Sequence, residues 1–181
     1  MKQYNSEILL ITLLVIVSFA NCNNPFNKQS SKMEYKDNSM LFEDRIIKIN
    51  KFVVDLTDPS ALFDAKDFIA VYEHPLSYRE DVINYISGQH TKDQKCIAIY
   101  SMAKLDVDDY IEFTEECYKL FQKKLIDEDL LERITGFPFT EKQNFIVHFN
   151  DKNVIKILNK IKQDPNVSDR FKHYIESILK Q

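Results

Sequence analysis

The chain has 181 residues, of which 44% are hydrophobic and 29% charged, with a formal net charge of −4, 2 glycines and no tryptophan. Those proportions are globular rather than disordered. So few glycines exclude a many-turned β protein and a glycine-rich phosphate loop, and a mildly acidic chain has no general attraction for nucleic acid, whose affinity rests on neutralising phosphates with Lys and Arg.

In chain order, the first feature is Lys2 followed by an apolar run from Ile8 to Ala20, interrupted only by Thr12 and Ser18. A membrane-spanning helix takes about 20 apolar residues, and this run is shorter. It fits the hydrophobic region of an export signal. The alternative is a buried N-terminal helix, but the run is apolar all round and a strongly polar stretch follows. Two cleavage readings stay open. Ser18 and Ala20 are small residues placed for a cut before Asn21. Phe19-Ala20-Asn21-Cys22 resembles the lipobox of bacterial lipoproteins, with Phe19 where an aliphatic residue is usual and Asn21 where a small one is usual. That resemblance implies a lipid on Cys22 and a membrane anchor, for which two acyl chains suffice. Residues 1–21 then form the signal peptide. Residues 22–38, rich in Asn, Ser, Gln and Lys, read as a flexible polar tether, and 39–181 as a single α-helical domain outside the cytoplasm, in the cell envelope or secreted.

Within that domain the helices are read from spacing and capping. Phe42, Ile46, Ile49, Val53 and Leu56 predict a helix over 39–56. Asp58-Pro59 opens a segment holding Leu62, Phe63, Phe68, Ile69 and Tyr72, of which Phe68 to Tyr72 also fits a short strand. His74-Pro75 closes it. Ser77 and Glu80 have the spacing of a capping box, with Tyr78, Val82, Tyr85 and Ile86 on one face and Gly88 as terminator. Thr91 and Gln94 form another such box. The helix they open is nearly all apolar from Cys96 to Ala103, which places it at the centre of the fold. Asp106 opens the next, with Val107, Tyr110, Ile111, Thr114, Cys117, Tyr118 and Phe121 inward. Asp127 caps a short helix ending at Gly136. Phe137-Pro138-Phe139 is a connector, and Thr140 to Gln143 caps Phe145 to Phe149. Val154, Ile157, Leu158 and Ile161 line one last helix, and Phe171, Tyr174, Ile175, Ile178 and Leu179 the other. The fold expected is all-α, with about 6–8 helices in a compact bundle or a short stack of antiparallel helix pairs.

The final pair, joined by Asp164-Pro165 and Ser168, resembles a HEAT-type helical repeat over about 30 residues, and Ser77 to Lys123 echoes it loosely. The likeness implies stacked helix pairs with a protein-binding surface. In size, signal and cysteine content the chain is also similar to small exported helical immunity and inhibitor proteins.

With Cys22 lipidated, Cys96 and Cys117 remain in an oxidising compartment. They lie almost equally far from the turn at Leu105–Asp106, so an antiparallel hairpin of those two helices would set them level. A Cys96–Cys117 disulfide worth roughly 3 kcal/mol is the expectation, with two free buried thiols as the alternative. His74, His90, His148 and His173 are not spaced for metal binding from one helix face, and no HExxH, GxSxG or P-loop occurs. No metal and no cofactor are expected. Acids cluster at Asp106, Asp108, Asp109, Glu112, Glu115 and Glu116, then at Asp127, Glu128, Asp129 and Glu132. They read either as solvated helix N-termini or as an electronegative face for a basic protein partner. Asp108, Asp109, Glu112 and Glu116 are the candidate contacts, joined by Phe137 and Phe139 as an aromatic anchor. The expected function is a non-catalytic protein-binding domain, an inhibitor or immunity protein acting by occlusion. The alternatives are a hydrolase using carboxylates such as Glu112 and Asp129, or a structural envelope lipoprotein.

Overall fold

The computed structural model describes residues 36–53, 56, 59–136 and 150–180. Among them the fold is all-helical, with no strand and eight α-helices packed on one another. These are α1 (Phe42–Phe52), α2 (Lys66–Tyr72), α3 (Pro75–Ser87), α4 (Lys92–Tyr100), α5 (Val107–Gln122), α6 (Glu128–Thr135), α7 (Lys152–Lys162) and α8 (Asp169–Leu179), with a 3₁₀ helix at Pro59–Asp64 before α2.

Polar side chains start most of these helices. Thr91 accepts from the Gln94 backbone N–H, and Gln94 Oε1 accepts from the Thr91 N–H in return, so the expected capping box closes. Asp106, Asp127, Asp151 and Ser168 each take an N–H of the first turn. Such caps contribute about 1 kcal/mol apiece by satisfying amides the helix leaves orphaned. One expected box does not form. Helix α3 begins at Pro75 with His74 as its N-cap, so Ser77 sits inside the helix. Proline at the first helical position, with its φ already helical, overrides the later signal. Phe68 to Tyr72 is helical, not extended.

Four consecutive helix pairs pack together: α1 with α2, α3 with α4, α5 with α6, and α7 with α8. Successive pairs touch through like members, α1 on α3, α3 on α5, α5 on α7 and α4 on α6, with α1 also lying along α4. The product is a short stack. Helix α4 takes neighbours on three sides, and Cys96, Ile97, Ala98, Ile99 and Tyr100 are all buried. The turn after it, with Ser101, Met102, Ala103 and Leu105, is buried as well. On α5 the buried face is wider than spacing alone indicates and includes Phe113, because that helix meets α3, α6 and α7.

This pairing overturns the disulfide expectation. Cys96 and Cys117 are free, buried thiols. Helices α4 and α5 belong to different pairs and do not form the hairpin on which the bridge depended. Cys96 lies near Arg133 of α6 and Cys117 near Tyr110 of its own helix. Burial pushes both thiols up, which leaves them protonated and inert.

Residues 36–38 are fastened to the domain rather than free as part of the tether. The Asp37 N–H donates to Tyr78 Oη at 3.0 Å, and the Tyr78 hydroxyl donates to the Asp37 carbonyl at 3.1 Å. Arg45, 2% exposed, donates to the Asp37 carboxylate at 2.9 Å and to Asp67 at 3.3 Å. Lys36 pairs with Asp81.

Candidate functional site

The acidic residues are sorted by which cation the stack brings to them. Arg79 of α3 reaches Glu112 at 3.0 Å and Glu116 at 3.1 Å on α5. Arg170 of α8 lies 2.6 Å from Glu132 and 3.5 Å from Asp129 on α6, and Lys92 of α4 reaches Asp129 at 2.5 Å. Glu128 accepts from the Ser168 N–H and hydroxyl at 2.6 and 2.5 Å, tying α6 to the start of α8. Exposed pairs of this kind contribute about 0–1 kcal/mol each, but each one crosses between helices and cancels local charge. Two of the predicted contacts, Glu112 and Glu116, are therefore engaged internally. Asp108 remains exposed at the start of α5. Burial, together with Asp106 and Glu112 nearby, raises the Asp109 carboxyl. Cys22, Phe137, Phe139 and His148 lie outside the described residues.

The carboxylates Glu112 and Asp129 fall into separate networks. Asp129 is held below the usual carboxylate range by its hydrogen bond to Lys92, the opposite of what a proton donor at neutral pH requires. Among the described residues no group of three or more His, Cys, Asp or Glu is placed to hold a metal ion, and no helix is long and apolar enough to cross a membrane. His173 Nδ1 meets the Asp169 carbonyl at 2.7 Å, and His90 stacks on Tyr85 with centroids 3.7 Å apart. The stack thus gives both rings local structural partners.

Two open clefts flank Lys92, on either side of α6. The larger, about 570 Å³, is lined by His90, Lys92, Lys95, Lys124 and Asp127 together with Phe121, Leu125, Ile126, Leu130, Gln122 and Asn166. Ile126 and Leu130 are buried and make its floor, while Leu125 is 45% exposed. The smaller, about 440 Å³, is lined by Lys92, Tyr100, Asp129, Glu132, Arg133, Gly136, Arg170 and Tyr174. There Arg133 donates to the Tyr100 hydroxyl at 2.6 Å. The spacing rules miss these clefts because their walls come from four helices and the loops at their ends.

The backbone beside the larger cleft is unusual. After α5, Lys124 has φ +59°, the left-handed region, and is the only non-glycine with positive φ among the described residues. Its N–H donates to the Phe121 carbonyl at 2.8 Å, and the Leu125 N–H donates to Leu120 at 3.0 Å. This is a Schellman helix end, where glycine is usual.

No protein-family model matches the chain, and neither does any curated protein or solved structure.

Proposed function

We propose that this chain is an exported, lipid-anchored, non-catalytic protein-binding domain of the cell envelope, an inhibitor or immunity protein that covers a functional surface of its partner. The observation that carries the reading is the pair of adjoining clefts around Lys92, 570 and 440 Å³ and both open to solvent. The larger combines an apolar floor of Ile126 and Leu130 with a polar, charged rim, as protein interfaces do, and the smaller sets Tyr100 and Tyr174 among charged side chains. They stand on capped helices cross-tied by the Arg170, Lys92 and Ser168 contacts, so the face is presented with little ordering left to do on binding. Export rests on Lys2, the Ile8–Ala20 run and the Cys22 context. A carboxylate hydrolase has less in its favour, because Glu112 is held by Arg79 while Asp129 is held by Lys92 and Arg170.

Two measurements test this. Mass spectrometry of the protein from its native membrane should show an N-terminus at Cys22 carrying acyl chains. Full-length protein recovered from cytosol would remove the export half of the proposal. A tagged full chain should retain a stoichiometric protein partner from envelope extract, and recovery of none removes the binding half.

A further inference from the structure

We infer that the larger cleft is the docking groove for an acidic partner segment that bears apolar side chains. The inference rests on the protein-binding reading and names the partner's chemistry at that site. In a chain of net charge −4, His90, Lys92, Lys95 and Lys124 converge on one cleft whose single acid is Asp127. That acid is already engaged as the N-cap of α6, accepting from the Leu130 N–H at 2.9 Å. Lys92 is paired with Asp129. For Lys95 and Lys124 no ion pair is formed among the described residues, so their charges face the cleft without a counter-ion.

The apolar floor excludes a purely ionic occupant, since half-exposed Leu125 gains nothing from a bare anion and gains from covering by carbon. An open groove suits side chains of a macromolecule better than a small ligand, which binds with most of its surface enclosed. The backbone agrees. A lysine held at φ +59° occupies a position where glycine costs less, and what lysine adds there is a cation at the rim. Strain retained beside a recognition surface is a recurrent feature of functional sites. The complement of this groove is a segment with carboxylates outside and one or two apolar side chains between them. It is the opposite of the basic partner that the acid count implies.

The test uses the full chain and a fluorescein-labelled hexapeptide, Glu-Glu-Leu-Phe-Glu-Glu, read by fluorescence anisotropy. Hexaglutamate, Lys-Lys-Leu-Phe-Lys-Lys and phosphatidylglycerol vesicles run alongside. The mixed acidic peptide should bind, weakening roughly tenfold or more as salt screens the charges. Lys95→Glu combined with Lys124→Glu should abolish the binding, and hexaglutamate should bind at least several-fold more weakly. Leu125→Ser should reproduce the loss without a charge change, and circular dichroism melts confirm that each variant is folded. Equal binding by wild type and the double lysine variant overturns the inference, as does preference for the basic peptide or for vesicles alone. If envelope extract yields a partner that the double variant retains equally, this groove is wrong while the protein-binding reading stands.

Discussion

The two ends of the stack each bury a charge, and they satisfy it in opposite ways. Near the N-terminus, Arg45 lies among α1, α2 and the segment at Asp37, neutralised by the carboxylates of Asp37 and Asp67. Its Nε finds no partner among the described residues. Near the C-terminus, Asp164 between α7 and α8 has no cation among the described residues. It accepts from the Tyr118 hydroxyl at 2.7 Å, from Gln122 at 3.3 Å, and from the Asn166 N–H and amide at 2.8 and 2.9 Å. Burial pushes the Asp164 carboxyl up, yet those bonds outweigh it and hold it below the usual carboxylate range. A buried anion can be stabilised by neutral donors alone when enough of them converge. A buried guanidinium with five donors is harder to satisfy, and the chain recruits two acids, one from a segment outside the helices.

The largest effect should come from breaking the ionic anchor. Arg45→Met leaves Asp37 without its cation and Asp67 with Lys48 alone, 2.6 Å away, and frees residues 36–38. A loss of about 2–3 kcal/mol in denaturant unfolding is expected, at the low end for a buried pair because both acids reach solvent. Loss of less than about 0.5 kcal/mol would mean that the aromatic packing of Tyr78 and Phe42 alone secures this end. Asp164→Ala should cost about 1–3 kcal/mol, since it orphans the buried Tyr118 hydroxyl and unties α5 from the last pair. Adding Tyr118→Phe should recover part of that loss, and strict additivity of the two changes would show that the contact is not shared.

Acidification should act on both ends, more gently. Hydrogen bonds from Ser39, aided by Arg45, lower Asp37 from 3.8 to about 2. Asp164 is lowered too. A carboxyl whose folded pKa lies below its unfolded value contributes stability that is complete above the unfolded value and disappears as pH falls through the folded one. The melting temperature should therefore hold from neutrality down to about pH 5 and drop between about pH 4 and 2. In Arg45→Met that drop should shrink, whereas a drop of unchanged size would assign it to other carboxylates. The smallest effect has the opposite sign. Lys124→Gly relieves a left-handed lysine at the price of unfolded-state entropy, for a net gain of up to about 1 kcal/mol. The same variant should weaken the acidic peptide, so a gain in stability that leaves peptide affinity intact would separate the strained turn from the groove.

Much of the helical layout was legible in the residues. Thr91, Asp106, Asp127 and Ser168 announce helix starts through contacts made within their own first turn, and Val154 to Ile161 announces a buried stripe by spacing. The candidate site was not legible. Glu112 and Glu116 read as a free acidic face because Arg79, which neutralises them, is distant in sequence. Asp164 read as punctuation between helices because its partners Tyr118 and Gln122 lie on α5.

By itself, then, the order of residues determined the all-α class, most of the helix starts and the central place of α4, because capping and amphipathic spacing are local and need no neighbour. Which helices pair was decided only in three dimensions. The same starts and stripes allow α4 to fold back on α5 or to pair with α3, and side-chain packing across the whole stack selects the second. That selection separates Cys96 from Cys117, turns acids into ties between helices, and gathers His90, Lys95 and Lys124 from three loops and helix ends around one cleft.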